Sequence, residues 1–370
     1  MKKLRFIILR IIYYFCLQNN QIMKFVYSLA FASLILFTAC KKEKSWDVDV
    51  KEQNVKLEIH DISQDFFNDS IPLATLRKNY PFFFDTNSDE IWEAQRRDKK
   101  EINIYTKSRK VFGDFDQLNN SLVPVFQRYQ YYFPEYKIPT VYTYSSGLQN
   151  LNYPVMFSQQ SGLLFIAMDA YLGTKEKLYD SIGVDRYLRA NMELDRLPSQ
   201  TVDAIANDIV TFSPRNQLFI DHILYEGKKL ILQDALLADT PDEYKLGYSP
   251  EQIQWCIDNE GQIWNFFVEQ NYVFSSDVSL KKRFLDLAPF SKFNNEIEQN
   301  SPGRIGAWVG LQIIRQYLRE NPKVELKTLL EDMDAQKIFK DSKYKPALER
   351  KSGTVYTTKT INGKDYHFVK

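Results

Sequence analysis

The order of hydrophobic patterns along this chain limits its fold more than any single motif does. Short alternating or continuous apolar segments, which are typical of strands, occur early, at residues 46–66, 138–144 and 163–168. From Pro198 onwards the apolar residues instead recur at helical spacing, most clearly over residues 218–236. A few strands followed by a series of helices predict an α+β domain dominated by helix.

Local signals place the ends of several elements. Charge pattern and apolar spacing predict helices over 87–110, 112–132, 202–212, 249–264 and 304–320. Ser249-Pro250 has the form of a helix start, with proline in the first turn. Near the C-terminus, Asn362-Gly363 lies between two alternating segments and predicts a hairpin with a type I′ turn. We assign this hairpin to an extension, residues 347–370, which follows a domain of residues 46–346.

The composition is that of a globular protein with a large core. Aromatic residues make up 15% of the chain and hydrophobic residues 44%, which is enough to bury a substantial interior. Residues 1–39 hold five basic side chains and no acidic one, so the remainder carries 43 basic and 47 acidic residues. A slightly acidic domain without a basic patch argues against nucleic acid as a partner.

Residues 23–40 have the layout of a secretory signal that ends in a lipid-attachment site. A short positive start precedes an apolar run of about 14 residues, which is shorter than a membrane span requires. Phe37-Thr38-Ala39-Cys40 resembles the lipobox of bacterial lipoproteins, in which the cysteine thiol is acylated. Two or three acyl chains anchor a protein stably in a membrane. An ordinary secretory peptide with an incidental cysteine is the alternative.

These features divide the N-terminal part of the chain into segments. Residues 1–22 form another basic and apolar stretch, and we interpret them as an upstream mis-start before the true start at Met23. Residues 23–39 are then the signal peptide, Cys40 carries the lipid, palmitate included, and residues 40–45 are a tether. We therefore expect attachment to a membrane through the lipid, and we place the domain at the outer membrane, facing the periplasm.

The sequence beyond the leader offers few residues for catalysis. It contains three histidines, at His60, His222 and His367, and neither a His-Glu-x-x-His motif nor a glycine-rich phosphate loop. Cys256 is the single cysteine after Cys40, and we interpret it as a small buried hydrophobe.

Two sets of residues could contribute to a metal site. His222 and Glu226 are four residues apart and would share one face of a helix. Scattered aspartates could also serve a cation, although such residues more often cap helices or face solvent: Asp169, Asp221, Asp234 and Asp242. Because neither set completes a recognisable ligand group, we predict no metal and no cofactor.

Four stretches together resemble one family, the gliding motility lipoprotein GldB. They are Phe133-Pro134-Glu135-Tyr136, residues 163–173, Tyr225-Glu226-Gly227-Lys228-Lys229-Leu230 and residues 301–310. The resemblance runs from about Met23 to Pro346 and implies a cell-envelope lipoprotein required for gliding, with motility or secretion proteins of the envelope as partners. It implies these motif residues: Asp169, Gly173, Gly227, Pro302, Gly303 and Arg304.

The same stretches are similar to zinc metallopeptidases of the gluzincin kind. In that group a His-Glu-x-x-His helix supplies two ligands and a base, and a later Glu-Gly pair supplies the third ligand. Here Glu226-Gly227 matches the pair, but Asn207, Asp208 and Thr211 stand where the histidines and the base are expected. Asparagine and threonine are poor zinc ligands, and aspartate is one methylene shorter than the glutamate base. The resemblance thus implies a degenerate gluzincin-like metallopeptidase fold without peptidase activity.

Three functions are consistent with these observations. The one we favour is a non-catalytic envelope protein that binds or organises partners. The second is a zinc-dependent peptidase or hydrolase whose metal site is rearranged around His222 and Glu226. The third is a binding protein for glycan or peptide, suggested by the aromatic content, although core packing explains those aromatics equally well.

Overall fold

A computed structural model of the chain describes residues 46, 48–213, 217–294, 298–346 and 356–369. The predicted upstream segment, signal peptide, lipidated Cys40 and tether lie outside these ranges. Within them, no helix combines the length and the apolar character that a bilayer span would need.

A small sheet forms in the N-terminal half of the described chain. Its strands are β1 (Ile59–Asp61), β2 (Thr140–Tyr144), β3 (Val155–Ser158) and β4 (Leu163–Ala167). They lie in the order β1-β2-β4-β3, with β1, β2 and β4 parallel and β3 antiparallel to β4. The carboxyl ends of the three parallel strands therefore meet at one edge of the sheet.

Two parts of this sheet differ from the sequence prediction. The pattern over residues 46–66 predicts one strand, but only Ile59–Asp61 pairs, and a helix begins immediately afterwards. The helix starts there because the Asp61 carboxylate accepts hydrogen bonds from Ser63 N and Gln64 N as an N-cap. The strand β3 was not predicted, since its four residues are too few to display an alternating pattern.

Helices precede β2 and follow β4. They are α1 (Ile62–Phe66), α2 (Leu73–Asn79), α3 (Pro81–Phe84), α4 (Asp89–Arg97), α5 (Lys99–Phe112), α6 (Asp116–Tyr132), α7 (Lys177–Ser181) and α8 (Arg186–Arg189). The predicted helix over 87–110 is two helices, because Asp98 caps a new one through Lys100 N and Glu101 N.

The second half of the described chain is mainly helical. Its helices are α9 (Leu197–Ile209), α10 (Phe219–Leu236), α11 (Asp242–Leu246), α12 (Pro250–Asp258), α13 (Glu260–Glu269), α14 (Ser279–Phe284), α15 (Ile305–Glu320), α16 (Leu326–Glu331) and α17 (Ala335–Ser342). The predicted helix-dominated α+β class is confirmed. So is the helix start at Ser249, whose side chain and that of Gln252 form a capping box.

The helices α10 and α15 pack against each other in the larger of the two hydrophobic cores that the described residues form. Their backbones touch where Gly227 meets Gly310: a Cβ added to Gly227 would lie 2.4 Å from the carbonyl carbon of Gly310. A Cβ on Gly310 would lie 2.0 Å from the carbonyl oxygen of Ile223. Only glycine permits so close a crossing, because every other residue would place a Cβ atom between the helices.

The C-terminal hairpin consists of β5 (Tyr356–Ile361) and β6 (Lys364–Val369). Asn362 and Gly363 have φ angles of 51° and 77°, and the two positive values confirm the predicted type I′ turn. The hairpin is bound to the helical part because His367 Nδ1 lies 2.6 Å from Glu243 Oε1, and both side chains are buried.

Candidate functional site

The residues predicted at the degenerate metal position have different contact partners: Asp208, Thr211 and Glu226 each contact a different group of residues. Asn207 and Asp208 are exposed at the end of α9, and Asp208 Oδ2 accepts a hydrogen bond from Gln159 N at 2.9 Å. Thr211 lies beyond the helix, where its carbonyl accepts a hydrogen bond from Lys228 Nζ at 3.1 Å. Glu226, in α10, has different partners.

Glu226 belongs to a cluster of four charged side chains, which we call the ion cluster. Its members are Asp203, Glu226, Lys229 and Arg304. Glu226 Oε2 lies 3.2 Å from Lys229 Nζ and 3.1 Å from Arg304 Nη2. Asp203 Oδ1 lies 3.7 Å from Lys229 Nζ. The cluster thus joins α9, α10 and the start of α15.

The two cations of the ion cluster keep their protons. Burial alone would lower the pKa of Lys229, but Asp203 and Glu226 raise it above its usual value. Burial likewise opposes the charge of Arg304, and Glu226 and Asp203 raise its pKa. The Glu226 carboxylate is therefore held between two positive charges.

The Pro302-Gly303-Arg304 segment is a tightly packed turn that presents Arg304. The Ser291 hydroxyl donates to the Pro302 carbonyl at 2.7 Å, and Tyr248 OH donates to the Gly303 carbonyl at 2.6 Å. A Cβ on Gly303 would lie 1.9 Å from the carbonyl oxygen of Ala288, so the turn has no space for a larger residue. Arg304 is the N-cap residue of α15 and has a left-handed φ of 58°, and its side chain extends to Glu226.

His222, the other candidate ligand of the rearranged metal site, and Cys256 are both packed against other parts of the protein. The His222 ring stacks on Phe212 at a centroid distance of 5.0 Å, and burial lowers the pKa of His222. Cys256 is fully buried, as predicted, and burial raises the pKa of its thiol. Across the described residues, no three histidine, cysteine, aspartate or glutamate side chains are grouped as a metal site would require.

Three of the four scattered aspartates take structural roles within the helical part. Asp221 accepts a hydrogen bond from Leu218 N and so caps α10. Asp234 and Asp242 converge in the interior, but on cations of the protein itself: both are bound by Arg315 and by Lys245.

Asp169, the fourth aspartate, shapes a loop at the carboxyl edge of the sheet. It follows β4 and is fully buried. Its carboxylate accepts hydrogen bonds from Ser146 N at 2.9 Å and Ser146 Oγ at 2.8 Å, and from Leu148 N. Burial raises the pKa of Asp169, and these hydrogen bonds oppose the rise. The motif residue Gly173 lies further along, where its N–H donates to the carbonyl of Met192 at 3.0 Å.

An open cleft lies beside this loop. Tyr144, Ser145 and Ser146 line it where β2 ends, and residues of α1, α3, α4 and α5 also line it. The cleft has a volume of about 680 Å³. Sheets with parallel strands commonly bind ligands beyond the carboxyl ends of those strands, so this cleft is a second candidate site.

Sequence reasoning missed Asp203 in the ion cluster and Glu101 in the cleft. Asp203 and Asn207 are four residues apart, and this spacing indicates a shared face of α9. Nothing in the sequence indicates that this face meets Glu226, because the contact joins separate helices. Glu101 resembles any other acidic residue in the first turn of a helix.

The fold and the site define a helix-dominated α+β protein whose motif residues build an ion cluster and a tight helix crossing. Residues 43–346 match the family described as gliding motility protein GldB. The chain belongs to this family, which confirms the resemblance of the four sequence stretches. The matched region ends before the C-terminal hairpin. No curated protein matched the chain, and no solved structure did either.

Proposed function

We propose that this gliding motility protein is a non-catalytic component of the cell envelope, held at a membrane by lipid on Cys40, where it binds or organises partner proteins. Membership of the gliding motility family supports the process. The observation that carries the non-catalytic role is that Glu226, which the peptidase resemblance would make a zinc ligand, lies between Lys229 and Arg304.

Two cations at this position oppose a metal ion. A zinc ion bound to Glu226 would lie within about 5 Å of each cationic side chain. At an effective dielectric constant near 20, each repulsion costs roughly 7 kcal/mol. Rearranging Lys229 and Arg304 would avoid the repulsion only by separating a buried and a partly buried charge from the Glu226 carboxylate, which is also unfavourable.

We further propose that the gluzincin-like resemblance reflects a shared framework in which ion pairs stand in place of metal ligands. On this proposal the protein has no peptidase activity. The outer membrane, with the domain facing the periplasm, remains the location we propose for it.

The variant Glu226→Gln tests the non-catalytic role. Glutamine keeps the size of the side chain and one oxygen acceptor for Arg304, but it lacks the charge that a zinc ligand needs. We expect cells carrying Glu226→Gln to spread on agar like the wild type. We also expect the wild-type full chain, purified in detergent without chelator, to contain less than about one tenth of an equivalent of zinc, on the order of background.

The variant Cys40→Ala tests the lipid anchor separately. We expect it to release the protein from the membrane and to reduce spreading, since alanine has no thiol to which the anchoring lipid can be attached. Stoichiometric zinc, together with loss of spreading in a stably folded Glu226→Gln protein, would refute the non-catalytic role.

A further inference from the structure

The cleft at the carboxyl edge of the sheet gathers large apolar side chains that are exposed to solvent. Phe82, Ile91 and Met156 line it and are 44%, 52% and 43% exposed. The Phe82 ring packs edge to face on Phe165 at a centroid distance of 5.4 Å, which holds it in the wall of the cleft. Exposed apolar side chains collected in one concave surface indicate a binding site.

Glu101 lines the same cleft and lacks a full set of partners. Its Oε2 atom is buried and accepts no hydrogen bond from the described residues. The carboxylate lies against the backbone at Gly147, where an added Cβ would be 2.6 Å from Oε1. Burial raises the pKa of Glu101, Asp169 and Asp98 raise it further, and a hydrogen bond from Gln95 opposes them. A partly buried carboxylate with too few donors is costly, so a ligand that brings a positively charged donor to the Glu101 carboxylate gains affinity.

The charged residues of the cleft all have one sign. Among the described residues that line the cleft, Asp98 and Glu101 are acidic, and none is a lysine, an arginine or a histidine. Such a surface disfavours anions and favours cations, which both carboxylates and aromatic ring faces stabilise. Trp92, Phe83 and Phe67 supply further rings along the wall.

We propose that this cleft binds a basic segment of a partner protein, with a lysine or arginine side chain paired to Glu101. Apolar neighbours of that side chain would pack on Phe82, Ile91 and Met156. A volume of about 680 Å³ accommodates several side chains rather than one ammonium group. This site is separate from the ion cluster, and the inference does not depend on the role proposed for Glu226.

In the test, the full chain, purified in detergent micelles, is titrated with each of two short peptides. Calorimetry measures the affinity of each peptide. One is acetyl-Phe-Lys-Phe-amide, and the other carries norleucine in place of lysine. We expect the lysine peptide to bind at least about tenfold more tightly, since a charge-assisted hydrogen bond in a partly buried site supplies that difference. We also expect its binding to weaken as the salt concentration rises.

Three variants assign the effect to the cleft. Glu101→Gln keeps the shape of the side chain, so we expect it to reduce the preference for lysine over norleucine to about twofold or less. Phe82→Ala, at an exposed position, should weaken both peptides equally. Glu251→Gln changes an exposed acid on α12 and should leave both affinities unchanged. Thermal unfolding of each variant shows that the fold is retained.

Several results would overturn the proposal. Equal affinity for the two peptides would show that no charge is recognised. An unchanged preference in Glu101→Gln would place recognition elsewhere. Binding of cellobiose in preference to either peptide would identify a neutral glycan site instead, and absence of binding by the lysine peptide would also contradict the proposal.

Discussion

For the variant Gly227→Ala, helix propensity and the tertiary structure predict opposite changes in stability. Gly227 lies in the middle of α10, where alanine is intrinsically better than glycine by about 1 kcal/mol. Propensity alone would therefore make the variant more stable than the wild type. The tertiary structure predicts the opposite, because a Cβ at this position would lie 2.4 Å from the carbonyl carbon and oxygen of Gly310.

The size of the effect follows from that distance. Ordinary carbon contacts begin at 3.4 Å, so α10 and α15 would have to separate by about 1 Å. A gap of that size forfeits a quarter to a half of the dispersion energy of contacts across the crossing, and overpacking of this kind costs about 3 kcal/mol. After the gain of about 1 kcal/mol from propensity, the free energy of unfolding should fall by about 2 kcal/mol, and Tm by roughly 3 °C for a domain of this size.

Urea denaturation and thermal unfolding of the purified full chain measure the change. Gly310→Ala should behave similarly, since its Cβ would lie 2.0 Å from the carbonyl oxygen of Ile223. Gly162→Ala is the control: no atom lies within 4 Å of its added Cβ, and its φ of +67° alone should cost about 1 kcal/mol. A Gly227→Ala protein as stable as the wild type would refute the close helix crossing.

Two further predictions concern buried charges. Burial lowers the pKa of Lys228 to about 8, so the unfolded chain holds this proton to higher pH, and stability should rise between pH 8 and 10.5. Measured by urea denaturation, the free energy of unfolding of the wild type should rise by about 2 kcal/mol between pH 7 and pH 10, relative to that of Lys228→Met. The same pH dependence of unfolding in both proteins would contradict this prediction. Arg315→Met should cost about 3–5 kcal/mol by urea denaturation, because it leaves Asp234 and Asp242 buried with Lys245 alone. The exposed control Arg97→Met, which loses only its pair with Glu93, should cost less than about 1 kcal/mol, and equal losses would be the contrary result.

Much of the secondary structure could be predicted because its causes are local. The hairpin turn depends on two adjacent residues that tolerate positive φ, Asn362 and Gly363. The start of α12 depends on Ser249 and on Gln252, three positions later. Of the strand predicted over residues 46–66 only Ile59–Asp61 forms, and it ends for a similarly local reason, since Asp61 caps the helix that follows.

The site was less predictable because its contacts are not local. Glu226 meets Arg304, 78 residues later in the chain, and Lys228 reaches the carbonyls of Leu330 and Asp332. The cleft is assembled from segments between Ser63 and Phe165 that adjoin only after the sheet has formed. Apolar periodicity indicates which face of a helix is buried, but it carries no information about which distant group that face meets.

The sequence by itself determined the helix-dominated class, the type I′ hairpin, the family, and the prediction of a lipid at Cys40. Only the tertiary structure decided what Glu226 and Gly227 do. In the sequence they are a Glu-Gly pair that resembles part of a metal site. In the fold, Gly227 lets two helices touch, and Glu226 neutralises Lys229 and Arg304 at that crossing. The physical reason is that close packing and ion pairing depend on distances between separate helices, which no local pattern encodes.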